Sequence, residues 1–95
     1  MIIRKYSLEE NNRDSLIEHY DSSEETINIA LNYKSDYENG ELYFKFDDKK
    51  YIPNTYNSGD VHIHNKYILH GVNKITKGSR WTLIIFLNHI NRNNN

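Results

Sequence analysis

The chain of 95 residues contains no cysteine, one proline, four glycines and one tryptophan. Without cysteine there can be no disulfide, thiolate zinc site, iron–sulfur cluster or cysteine nucleophile, and the redox compartment leaves no mark on the sequence. No apolar run approaches the ~20 residues of a membrane-spanning helix. The basic residues of Met1-Ile2-Ile3-Arg4-Lys5 are not followed by the apolar stretch of a leader. The expectation is therefore a chain with no membrane association, cytoplasmic by default. Twelve Lys and Arg against thirteen Asp and Glu leave a net charge of -1, with no cationic excess to hold a phosphate backbone, so nucleic acid is not expected as a partner. The length allows one small domain. Hydrophobic residues make up 37%, and eight Tyr and three Phe must supply much of a small core.

Short segments with β-branched and aromatic residues recur between turns. Ile2 to Ser7 reads as a strand, followed by the polar stretch Glu9-Glu10-Asn11-Asn12-Arg13-Asp14 as a loop or a single helical turn. From Thr26 to Tyr33 the residues alternate, with Ile27, Ile29 and Leu31 on one face and Thr26, Asn28, Ala30 and Asn32 on the other. A turn at Asp36 to Gly40 leads into Glu41 to Phe46, and Asp47-Asp48-Lys49-Lys50 reads as a hairpin turn before Tyr51-Ile52. Pro53 to Gly59 is loop, Val61 to His64 and Tyr67 to His70 are short strands, and Thr76 to Ser79 turns into a last strand from Arg80 to Asn88. About eight short strands with little helix predict an all-β sandwich, jelly roll or barrel. Residues 1–90 form one domain in this reading and residues 91–95 a disordered Asn-rich tail.

His19-Tyr20-Asp21 sets an imidazole and a carboxylate two residues apart, a spacing that puts both on one face of an extended segment. Alone the pair is an ordinary surface His beside an Asp. His70, followed after a turn by Arg80 and Thr82 on one strand face, changes this. Two imidazoles and one carboxylate leave half the positions of an octahedral divalent iron open, and an Arg fork nearby suits two-point binding of a carboxylate. His62 and His64 also stand two apart and form a rival metal pair with His70. His62 is read as an outward residue, His64 as one able to hydrogen-bond a metal ligand, Trp81 as a packing residue and His89 as surface.

These stretches resemble the Fe(II)- and 2-oxoglutarate-dependent dioxygenases, in particular the prolyl and lysyl hydroxylase-like branch. His19 to Asn32 is similar to the first metal motif of that family and the strand after it. Asn39-Gly40-Glu41-Leu42-Tyr43-Phe44 is similar to its Gly-Gly-x-Leu-x-Phe segment, with Asn39 in place of the first Gly. His70-Gly71-Val72 through Arg80-Trp81 resembles the second metal ligand and the co-substrate Arg, and the likeness runs from about residue 2 to residue 88.

The resemblance implies a double-stranded β-helix of the jelly-roll, cupin-like kind, with His19, Asp21 and His70 as iron ligands and Arg80 holding the distal carboxylate of 2-oxoglutarate. Tyr6 would help hold that carboxylate. Thr82 would add a hydroxyl, Leu42 would pack beside the co-substrate, and Asn28 would line its pocket. Ala30 and His64 would stand beside the site. The implied cofactors are Fe(II), 2-oxoglutarate and O2, with ascorbate as a candidate auxiliary reductant. The implied reaction hydroxylates a peptidyl side chain, Pro or Lys by resemblance, as 2-oxoglutarate is decarboxylated to succinate. A peptide or protein substrate is expected, and self-association or docking on a partner follows if one sheet face is left bare. Competing readings are a cupin-like metal protein that uses no 2-oxoglutarate and a non-catalytic β-sandwich binding module.

Overall fold

The computed structural model describes residues 1–53 and 57–89, so the expected tail at 91–95 and the middle of the loop at 53–59 lie outside the described residues. Among the described residues there are nine strands: β1 (Ile2–Ser7), β2 (Leu16–His19), β3 (Glu25–Ala30), β4 (Tyr37–Asn39), β5 (Leu42–Phe46), β6 (Lys49–Tyr51), β7 (Val61–Asn65), β8 (Leu69–Val72) and β9 (Ile75–Leu87). The helical content of the described residues is a single 3-10 turn at Lys34–Asp36.

All strand pairings are antiparallel and form two sheets. One has the order β1-β9-β3-β7, with β4 added against β9; the other has the order β2-β8-β5-β6. The arrangement is an all-β, two-sheet fold of the β-sandwich kind. The strands are short because turn chemistry interrupts them. Phe46 pairs with Lys49, leaving Asp47 and Asp48 as a two-residue loop with φ of 49° and 66°. Both central residues are thus left-handed, which suits the right-handed twist of the flanking strands. Asn39 takes φ 56° beside Gly40 at 72°, a conformation Asn tolerates better than other side chains.

Two expectations about the strands change. The turn read at Thr76 to Ser79 is part of β9, which runs unbroken and pairs with β4 through Ile75–Gly78 and with β1 and β3 beyond it. Gly78, at φ 74°, lets it pass so close to the Asp36 and Tyr37 backbone that a Cβ would collide with them. The first of these partners, β4, lies within the stretch read as a turn.

Burial reverses the intuitive polarity of the larger sheet. On β3 the buried residues are Thr26 and Asn28, while Ile27 and Ile29 are only half-buried. Register carries this across the sheet: Thr26 pairs with Phe86 and His64, Asn28 with Ile84 and His62. Pairing opposite Asn28 puts His62 on the inner face with His64, which corrects its expected outward position. A strand's period of two allows no other outcome once His64 is inside. The core between the sheets is small: Tyr6, Leu42 and Val72, with Leu16 and Phe44 packed against them.

Candidate metal centre

β2 and β8 lie side by side with His19 directly opposite His70. Each ring is fixed in the same way. The Nδ1 of His19 lies 2.9 Å from the Ile17 carbonyl oxygen, and that of His70 2.9 Å from the Ile68 carbonyl oxygen. A carbonyl only accepts, so both Nδ1 atoms carry a proton, and each ring turns its Nε2 the other way. Both Nε2 atoms meet Asp21 Oδ1, at 3.2 Å from His19 and 3.3 Å from His70.

The opposite carboxylate oxygen is treated differently. Thr26 Oγ1 donates to Asp21 Oδ2 at 2.6 Å, and His64 Nε2–H donates to it at 3.0 Å. The two oxygens of one carboxylate thus have separate tasks, Oδ2 filled by Thr26 and His64 and Oδ1 facing the Nε2 atoms of His19 and His70. Ligand atoms of His19, Asp21 and His70 lie within 4.8 Å of one another, two imidazole nitrogens and a carboxylate oxygen converging on one point where a cation can be held. The residues therefore fit a divalent metal held by two imidazoles and a carboxylate, a set that leaves positions open for other ligands.

Burial by itself would raise the Asp21 carboxyl, but hydrogen bonds from Thr26 and His64 outweigh it and hold the pKa below the ordinary value. Burial, and then the charge of His70, push the His64 imidazole down, against the pull of Asp21. His64 presents Nε2 as its donor to Asp21, and its Nδ1 is buried without a hydrogen-bond partner.

One cavity between the sheets is lined by His19, Asp21 and His70 and also by Tyr6, Asn28, Leu42 and Arg80. Arg80 is 8% exposed, and its Nη1 is buried with no hydrogen-bond partner. An always-charged guanidinium left with an unfilled donor inside a protein is costly unless an anion meets it. Its Cζ lies 5.3 Å from the Tyr6 ring centroid. Tyr37 on β4 is a neighbour the sequence reading missed: burial raises its phenol, while the Arg80 guanidinium acts to lower it. Thr82 is fully buried behind the cavity wall, its hydroxyl donating to Asn28 Oδ1 at 2.8 Å. Ala30 lies on the same strand face, two residues beyond Asn28. Trp81 stands on the opposite face, 40% exposed, and His89 is exposed with Nε2 2.7 Å from Glu25 Oε1.

No family model matches the chain. It is 30% identical over 89 residues to 2-oxoglutarate and iron-dependent oxygenase domain-containing protein 2 of Xenopus tropicalis, an overlap of 87% of this chain and 24% of that protein. With the Mus musculus protein of the same name it shares 32% over 77 residues, 73% of this chain and 21% of that protein. The chain thus spans less than a quarter of the length of the curated relatives it matches. Distant as it is, this likeness supports a relation to the 2-oxoglutarate and iron-dependent oxygenase superfamily, and the assembled His19, Asp21 and His70 agree with it.

Proposed function

We propose that residues 1–90 are the catalytic core of an Fe(II)- and 2-oxoglutarate-dependent dioxygenase that hydroxylates a peptidyl side chain, in the manner of the prolyl and lysyl hydroxylases, and that its two sheets are those of a double-stranded β-helix. The observation that carries this reading is the shared cavity, in which the three converging ligands and the unpaired Arg80 donor line one space. A metal alone would explain the first and an anion alone the second. A small dicarboxylate that chelates iron at one end and meets Arg80 at the other explains both.

His19 and His70 hold the metal through Nε2 and Asp21 through Oδ1, while Thr26 and His64 keep Oδ2 occupied. Arg80 binds the distal carboxylate of 2-oxoglutarate, with Tyr6 against its guanidinium. Leu42 and Asn28 shape the wall, and Thr82 fixes Asn28. Bound iron supplies oxidative decarboxylation of 2-oxoglutarate to succinate with hydroxylation of the substrate by O2, and ascorbate serves as an auxiliary reductant. The protein contributes alignment and exclusion of water.

Anaerobic addition of Fe(II) and then 2-oxoglutarate is expected to give the weak visible charge-transfer band of the chelate, followed by succinate on admission of O2. A metal spectrum unmoved by 2-oxoglutarate would make this a cupin-like metal protein instead. Purified protein that retains no divalent metal would make it a binding module.

A further inference from the structure

The face of the β1-β9-β3-β7 sheet turned away from the metal centre is apolar and, among the described residues, uncovered. Two cross-strand rows make its middle. Ile3, Leu83, Ile29 and Val61 form one, and Ile85, Ile27 and Ile63 form the other. Ile3 is 63% exposed, Ile63 60% and Val61 49%. The neighbouring row carries Lys5 and Trp81, with the Lys5 ammonium 5.3 Å from the ring centroid. The row at the other end carries Leu87, Glu25 and Asn65.

We infer that this face is the contact surface of a homodimer, two copies packing these sheets together as in a β-sandwich. Area and charge both favour a second copy as the occupant. The exposed apolar surface is on the order of 600 Å², the upper end for a lone monomer, and with its polar rim it approaches the ~800 Å² each partner gives to a standard interface. A net charge of -1 sets up almost no repulsion between copies.

The rim is also self-complementary. Lys5, which meets Glu9 of its own chain at 3.0 Å, pairs with Trp81 on one side of β9, and Glu25, which meets His89 at 2.7 Å, pairs with Leu87 on the other, so a contact between copies would exchange these exposed pairs for intermolecular ones. The point midway between Lys5 and Glu25 therefore falls on β9 between Leu83 and Ile85, the centre of the apolar rows. A two-fold axis through that point, lying in the interface plane and perpendicular to the line joining the two residues, brings Lys5 of each copy opposite Glu25 of the other.

Sedimentation equilibrium of the full chain across the micromolar range, read together with Trp81 fluorescence, tests this. The expected result is a doubling of mass with rising concentration, accompanied by a blue shift of the chain's one tryptophan. Ile63→Lys changes an outward side chain, so the far-ultraviolet circular dichroism should stay the same while the protein becomes monomeric. Lys5→Glu should weaken the dimer, and Lys5→Glu combined with Glu25→Lys should restore it. A wild-type chain that stays monomeric overturns the inference and leaves the face to a different partner. A dimer indifferent to Ile63→Lys, or an aggregate without defined mass, overturns it as well. Dissociation by Ile63→Lys without rescue by the charge swap supports the face and overturns the two-fold orientation.

Discussion

His64 donates from Nε2 to Asp21 Oδ2 at 3.0 Å, on the carboxylate oxygen that faces away from His19 and His70. The third imidazole at the site thus acts on the other two through Asp21, holding the carboxylate so that Oδ1 points at their Nε2 atoms. Thr26 donates to the same oxygen, so orientation does not rest on His64 alone.

Removing His64 should loosen the metal without dispersing its ligands. Outer partners of metal ligands are typically worth about 10–100-fold in metal affinity. His64→Ala is expected to lose affinity in that range for Mn(II) or Co(II), measured by isothermal titration calorimetry. His64→Gln, which keeps a donor near Asp21, should recover part of it. Equal affinity in wild type and His64→Ala would show Thr26 to be sufficient.

Asp21→Ala should abolish metal retention, because it removes the anion that offsets a divalent charge between two neutral rings. A ligand that binds only the folded state at about 100 times its Kd adds about 2.7 kcal/mol of stability. Divalent metal is therefore expected to raise the melting temperature of the wild type clearly and that of Asp21→Ala not at all. A comparable rise in both would place the metal elsewhere.

Arg80→Ala should separate the two halves of the cavity. Hydrogen bonds to a charged group are worth about 1.5–3 kcal/mol, so 2-oxoglutarate affinity should fall roughly 10–100-fold while metal affinity is kept. Arg80→Lys should recover little, since a lysine offers a point charge in place of a planar fork. Loss of metal with retention of 2-oxoglutarate binding would reverse the assigned roles.

Acid should destabilise the metal-free protein through His62. Burial lowers its pKa from 6.5, the Arg80 charge adds to this, and Asp60 opposes it. The unfolded chain then takes up a proton at a higher pH than the fold does, so stability is full above about pH 6.5 and declines as pH falls toward the folded-state pKa. Thermal melts of chelator-treated protein at pH 7.5 and below pH 6 should show a smaller drop in His62→Gln than in the wild type. An identical drop would assign the acid sensitivity to other groups.

Much of this was readable from residues alone, and what was not has physical causes. The alternation in Thr26 to Ala30 marks a strand, but it does not say which face is inside. Hydrophobicity alone would have buried Ile27 and Ile29, whereas the structure buries Thr26 and Asn28 because the ligands and Arg80 need polar neighbours. The same ambiguity misplaced His62. The convergence of His19, Asp21 and His70 was suggested by family resemblance and is now seen as geometry, since a His-x-Asp spacing carries no information about a partner 49 residues away. Tyr37 escaped notice because β4 is three residues long and sits among Asp36, Asn39 and Gly40, which read as a turn. β9 was cut short because Gly78, the usual sign of a break, here serves close backbone approach.

The polar interior and aliphatic exterior of β3 have a consequence for folding fidelity. A slip of one residue against β9 would turn Thr26 and Asn28 to the outside and carry Ile27 and Ile29 into the space beside Asp21 and Arg80. That decoy would be greasier within than the native protein and chemically inert, so hydrophobic collapse does not discriminate against it. Selection of the correct alignment falls to a few directional contacts, the Thr82 hydroxyl on Asn28 and the Thr26 hydroxyl on Asp21 among them. Those same side chains stand at the candidate metal centre, so in this sheet the parts that shape the site also guard the alignment.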